Sequence, residues 1–369
     1  MSVAVANTSV ARSPVNVAYR ALWVAVIFDF LAFGVGFDLD RRWHATHPFE
    51  DFFSPPHLFI YSMHFLATMT LAYIAFTPSL RAVFGRTFRL FPLPFPVPGP
   101  IALAGGGFVV TALAGVFDGI WHTVFGLDET LWSFPHSMLG AGIFVAFVGI
   151  AACRWAIREE TPIGIWSALV FGLLLFETAA QRFTGPIGTN LSPEVLDYIS
   201  RIPVLAASPP FQHTIRIELA YDLHRLNPLF VPLASLSTGM TFALLRSFDR
   251  RPLVTLVLSA LASWTSTLVP YLIPGIVLVI GGETRTTSAI WWLAGFGFAA
   301  TAAAIWFGTI GSVIVGTLLF QAGVWLGRLV WSVVERPERG RVLAFVILFG
   351  IAYPALTGIV DLALRARVP

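Results

Sequence analysis

GFDLDRRWHATHPFEDFFSPPH, residues 36–57, and GVFDGIWHTVFGLDETLWSFPH, residues 115–136, read as two copies of one arrangement. Each places an Asp four residues before a His, with Trp directly ahead of that His: Asp40, Trp43 and His44, then Asp118, Trp121 and His122. Each closes on Ser-x-Pro-His, Ser54 to His57 and Ser133 to His136. The second His follows the first by 13 residues in one copy and 14 in the other. A repeat of this kind governs the architecture around it. Residues four apart on a helix share a face, so Asp40 points with His44 and Asp118 with His122. Ser before Pro is a helix-start signal, Ser at the N-cap and Pro in the first turn. Each copy therefore reads as a helix end, a loop and a helix start. The hairpin gathers one carboxylate and two imidazoles.

The flanking sequence sets the solvent. Hydrophobic residues make up 56% of the chain and charged ones 12%, against roughly 25% charged in a soluble domain. Mean hydropathy is +0.78. The expectation is an all-α, polytopic integral membrane bundle whose principal partner is the lipid bilayer. The 33 Phe and 12 Trp suit lipid-facing helices with aromatic belts. All 23 basic residues are Arg; lipid headgroups account for them, and no nucleic-acid partner is expected. One cysteine, Cys153, excludes an internal disulfide and a multi-Cys metal site.

A spanning helix takes about 20 mostly apolar residues. Segments near 17–39, 57–77, 99–121, 136–156, 163–182, 227–246, 252–280, 289–308, 310–332 and 341–363 qualify, which predicts nine or ten spans. Pro270 and Pro274 predict a kink or a re-entrant break within 252–280. Gly308 and Gly311 divide the run 289–332. Residues 1–16 form a polar tail without a cleavage pattern, so the first apolar segment stays as an anchor. Residues 17–182 hold the repeats, 183–226 form a long extramembrane connection with room for an interfacial helix, and 227–369 form a scaffold bundle without His.

Arginine placement sets orientation. A cytoplasmic N-terminus puts Arg81, Arg86 and Arg89, then Arg154 and Arg158, then Arg246, Arg250 and Arg251 on the inside. This is the pattern of a plasma-membrane protein, a bacterial inner membrane being the expectation. By the same count the 333–340 loop, with Arg336 and Arg339, breaks the rule.

The hairpin chemistry favours a cation. Asp40 and Asp118 lie at helix C-termini, where the dipole disfavours negative charge by about 0.3–1 kcal/mol. An unpartnered carboxylate near the membrane costs several times more. One carboxylate and two imidazoles with open positions make a common metal site. A single His at a membrane edge is more often a packing residue, but matched triads in two hairpins have no packing rationale. The expected ligands are Asp40, His44, His57, Asp118, His122 and His136. His64, two turns beyond His57, is read as an outer support or as packing, and Asp128 and Glu129 as acidic neighbours of the second site. His213, Glu218, Asp222 and His224 form a further polar cluster, and Glu177 lies inside a span. Copper, iron and zinc all suit these donors.

The motifs resemble the C subunit of the copper membrane monooxygenases, the particulate methane and ammonia monooxygenases. That family carries Asp-x3-His-x12-His, matched by Asp40, His44 and His57, with Trp43 and Pro55 in register. Its neighbouring site reads Asn-x3-His-x13-His, matched in spacing by Asp118, His122 and His136 with Asp in place of Asn. The resemblance covers residues 15–160. It implies copper, O2 and a small apolar substrate or ammonia, with other membrane subunits or further copies as partners. Three readings follow: a copper oxidase or monooxygenase component; a copper carrier, sensor or assembly factor without turnover; and a transporter with a polar gate. Catalytic residues are not assignable from the sequence.

Overall fold

Ser-Pro starts recur in the computed structural model. Ser13, Ser54 and Ser133 each occupy an N-cap with an extended ψ, and Pro follows within two residues. None of the three hydroxyls makes a capping hydrogen bond. In the second and third cases Pro56 and Pro135 occupy the second helical position, which removes one of the two N–H groups a cap would accept from.

The structure describes residues 13–44, 53–125, 133–180, 201, 230–265, 269–282, 288–305 and 308–365. Several side chains near segment ends, those of His44, His122 and Glu177 among them, lie outside that description. Helix α1 is Pro14–Phe30; a π-helical turn, Leu31–Gly36, joins it to α2, Phe37–His44. Then come α3, Pro55–Phe76, and the short α4, Pro78–Arg81. A two-stranded antiparallel hairpin, β1 (Thr87–Arg89) and β2 (Pro96–Pro98), precedes α5, Gly99–Phe125, and α6, Phe134–Ala156. After α7, Ile165–Ala180, the second half holds α8, Phe230–Phe248; α9, Pro252–Thr265; α10, Leu272–Ile280; and α11, Ser288–Ile305. It ends with α12, Ile310–Glu335; α13, Arg339–Ile347; and α14, Tyr353–Arg365, the last two joined by a π-helical turn.

The chain is an all-helical bundle apart from its small hairpin. Among the described residues six helical stretches are long and apolar enough to cross a membrane: Pro14–Asp40, Pro55–Phe76, Gly99–Trp121, Phe134–Ala156, Ile310–Glu335 and Arg339–Ile359. Ile165–Phe176, Pro252–Leu261 and Ala289–Ile305 are apolar but shorter. Nine of the ten segments read from hydropathy divide into these two classes, and 227–246, which becomes α8, Phe230–Phe248, falls in neither. The stretch 252–280 is broken into α9 and α10, with a 3₁₀ turn at Val269–Tyr271 around Pro270. The run 289–332 divides at Gly308, where Thr309 caps α12 and exchanges hydrogen bonds with Ser312.

Small residues set the helix spacing. A side chain at Gly107 would collide with the backbone of Ala146, one at Gly142 with Thr111, and one at Gly149 with Ala104. Those three contacts run in opposite directions along α5 and α6, so the pair is antiparallel and in backbone contact. Gly239 abuts the Phe320 carbonyl, and Gly323 and Gly327 abut the carbonyls of Leu236 and Met240, so α8 and α12 run parallel. Close approach through small residues is the usual membrane packing device. Helix α8 is buried nearly all round, and its hydroxyls return to its own backbone: Ser235 donates to the Val231 carbonyl at 2.8 Å and Thr238 to that of Ala234 at 2.7 Å.

Contacts between turns place the arginine-bearing loops at one end. Gly99 abuts Pro337. The Arg251 guanidinium donates to the carbonyls of Ile163, 3.2 Å, and Gly164, 3.3 Å. Hydrogen bonds to Asp249 hold that guanidinium above the ordinary arginine range. Trp155 packs on Trp331 at 5.0 Å and on Phe248 at 6.5 Å between ring centroids. The 333–340 loop therefore lies beside the 78–98 connection. The arginine asymmetry extends to the last third, and the expected exception at Arg336 and Arg339 is corrected. The sequence count failed because it took 252–280 as one crossing, whereas α10 folds back on α9, with Gly275 against Ser259.

Candidate metal centre

The opposite end carries the two sequence repeats. Helix α1 with α2 runs antiparallel to α3, and α5 antiparallel to α6, so His44, Pro55, Phe125 and Phe134 all lie at that end. The link between the pairs is close: Gly115 of α5 faces the ring of Tyr61. Gly358 of α14 packs against Phe134, which brings the end of the chain to the same place.

Asp40 Oδ1 lies 3.4 Å from His57 Nε2, and Asp118 Oδ1 lies 3.7 Å from His136 Nδ1. The same two positions of each repeat are thus brought together in each helix pair. The side chains are 21% and 16% exposed in the first pair, 19% and 26% in the second. These are shielded groups with a residual opening. A separation of 3.4–3.7 Å is long for an N–H···O hydrogen bond, whose usual range is about 2.7–3.2 Å. It fits a shared ion, since two ligands about 2.0–2.1 Å from one metal at a tetrahedral angle lie about 3.4 Å apart. The donor chemistry, one hard oxygen and one imidazole nitrogen, suits a first-row divalent ion.

The two pairs differ in their supports. The Ser133 hydroxyl lies 3.1 Å from His136 Nδ1, whereas Ser54 Oγ is buried without a hydrogen-bond partner among the described residues. The ring of His57 stacks on Tyr61 at 5.7 Å. Arg42, two residues beyond Asp40, reaches Asp38 at 2.8 Å across one helical turn. Trp121 is buried, 8% exposed, in keeping with a packing role.

The third member of each triad, His44 and His122, is at the right place on the backbone, but its side chain falls outside the described residues. The connecting loops lie outside them as well, and with them His47, Asp128 and Glu129, as does the cluster His213, Glu218, Asp222 and His224. Among the described residues no group of three or more His, Cys, Asp or Glu side chains comes together.

His64 sits apart from the hairpin end, and its ring contacts are with Asp29, Phe33 and Phe108. Sequence reading passed over Asp29. Its signal was available: a single acid in the middle of an apolar span, opposite the one His in the middle of the next.

No family model, curated protein or solved structure matches the chain.

Proposed function

We propose that the chain is a membrane copper protein, similar to the C subunit of the copper membrane monooxygenases, with one site at each hairpin. The observation that carries this reading is the recurrence of the Asp-to-second-His juxtaposition, at 3.4 and 3.7 Å, in two helix pairs that share a sequence motif. Asp40, His44 and His57 hold one ion; Asp118, His122 and His136 hold the other. Copper at such a site supplies one-electron chemistry toward O2. The chain contributes an anionic oxygen that offsets the metal charge, imidazoles held at helix starts, and partly exposed positions open to a small molecule. Exposed apolar side chains around this end, among them Val116, Phe117, Ile120 and Val124, allow a lipid-soluble substrate to approach from the bilayer. The Arg-bearing end faces the cytoplasm and the hairpins face the opposite side of the plasma membrane.

The reaction supported is oxidation of a small apolar compound or ammonia with O2. One oxygen atom enters the substrate and the other leaves as water, with two electrons and two protons drawn from a reductant. The test is formation of 18O-labelled product from 18O2 by copper-loaded membranes given a quinol reductant. We expect label in the product for the parent and its loss in His57→Ala or His136→Ala. Tight copper binding without labelled product for any small alkane or ammonia, alone or with co-purifying subunits, would turn the reading to a copper carrier or assembly factor.

A further inference from the structure

The bundle holds a second pair of ionisable groups, remote from the hairpins. Asp29 on α1 is fully buried, 0% exposed, and His64 on α3 is 8% exposed. Asp29 lies eleven residues before Asp40, roughly 16 Å along a helix, and His64 lies seven after His57, roughly 10 Å. That is near the middle of the hydrocarbon layer, whose half-thickness is about 15 Å. The surroundings are apolar: the ring of Phe33, from the π-helical turn that follows Asp29, lies 5.3 Å from the His64 ring, and that of Phe108 lies 4.9 Å away. π-helical turns concentrate at functional sites in helices.

The arrangement around the ring bears on how many protons the pair needs. His64 Nε2 faces the backbone carbonyl of Phe108 at 3.5 Å, and His64 Nδ1 faces Asp29 Oδ1 at 3.4 Å, both longer than a fully formed hydrogen bond. A carbonyl only accepts, so the tautomer with the hydrogen on Nε2 is the one that can satisfy it. A neutral imidazole then offers a bare lone pair at Nδ1, facing a carboxyl oxygen. Two acceptors cannot bond without a further proton between them. Charge gives the same answer. Asp29 Oδ2 is buried without a hydrogen-bond partner, and among the described residues no arginine touches the carboxyl. A carboxylate beside a neutral histidine would leave one uncompensated negative charge in hydrocarbon, which is strongly disfavoured; an imidazolium–carboxylate pair would desolvate two charges, at a cost that a contact of 3.4 Å offsets poorly, and the neutral acid beside the neutral ring desolvates none. The nearest titratable group along the helices is Tyr61, one turn away on α3. Farther off are His57 on α3 and Asp118 on α5 toward the hairpins, and Tyr19 on α1 with Cys153 and Arg154 on α6 toward the other end.

We infer that Asp29 and His64 form a proton-binding site at mid-membrane, with Asp29 held as a carboxylic acid that donates to His64 Nδ1 at neutral pH. The bound proton lies on the same face of α3 as Tyr61 and His57, three and seven residues away, where it is a reserve for the hairpin end. That use rests on the metal reading above; the protonation does not.

The test is infrared spectroscopy of metal-free protein in lipid nanodiscs. The parent should show, at neutral pH, a carboxylic-acid C=O band above the amide region that moves down in D2O and on 13C-aspartate labelling. The band should vanish in Asp29→Asn, move in Asp29→Glu, and persist at higher frequency in His64→Gln, where the acid loses its acceptor. A folded Asp29→Asn protein with the parent's spectrum would overturn the inference. So would a parent in which no aspartate-labelled acid band appears until acidic pH, an outcome that needs no variant to fold.

Discussion

At the scale of single residues, the two Asp–His pairs differ in one atom's surroundings. His136 Nδ1 has the Ser133 hydroxyl at 3.1 Å, and Ser54 has no such engagement with His57. That nitrogen is the one that faces Asp118, so an ion bound there displaces the serine's hydrogen bond, worth about 1 kcal/mol. Ser133→Ala should therefore raise the second site's affinity by up to about fivefold. Ser54→Ala should leave the first site's affinity unchanged, and loss of a buried, unsatisfied hydroxyl is near neutral for stability. Competition titration with a chromophoric chelator measures both. Equal effects of the two substitutions would show that Ser133 is only a helix start. The sequence made these serines legible as helix starts but not their difference, because the hydroxyl's choice between backbone and ring depends on the fold. Asp29 and His64 illustrate the same limit: 35 residues separate them, and only the antiparallel packing of α1 on α3 makes them a pair.

At the scale of elements, the α5–α6 pair carries both the packing and two of the three ligands of the proposed second site. Asp118 lies eleven residues beyond Gly107 on α5, and His136 six before Gly142 on α6. The distance between these two ligands is therefore set by backbone contact at Gly107 and Gly142. Gly107→Val should force the helices apart, with an overpacking cost of about 1–3 kcal/mol. It should also lower affinity at the second site while sparing the first. Thermal unfolding in detergent and metal titration check the two effects; unchanged unfolding would mean that the pair is not in backbone contact. Gly105, where an added Cβ meets nothing within contact distance, is the control position. Several element boundaries were open to sequence reading because they rest on local chemistry. Pro270 breaks 252–280, and Gly308 with Thr309 divides α11 from α12. Helix α8 was read as one span among others. Its central burial follows from contacts with α12 along Gly239, Gly323 and Gly327, which no local pattern encodes.

At the scale of the whole molecule, the arginine-bearing turns among the described residues and the two sequence repeats lie at opposite ends. The turns rich in arginine meet through Gly99 with Pro337 and through Arg251 with Ile163, while both sequence repeats end at the other face. The sequence made the repeat and most of the arginine pattern legible, but the parity of the last third needed the packing of α13 along α5 and of α14 along α6. On the proposed copper reading, two repeats on one face make two sites of unequal strength. The second connection carries Asp128 and Glu129 without arginine. One charge at about 8 Å is worth on the order of 2 kcal/mol at an effective dielectric near 20. In the first repeat Glu50 and Asp51 offset those two acids and Asp38 matches Arg42, which leaves Arg41 beside Asp40 as the one charge of difference. The second site should therefore fill first. The most direct measurement of the central claim is copper bound per chain, titrated in the parent and in folded His57→Ala, His136→Ala and doubly substituted proteins. The account predicts two ions in the parent, loss of the weaker class in His57→Ala, loss of the tighter class in His136→Ala, and none in the double variant. Copper content unchanged across all four would contradict it and make the repeat a packing motif.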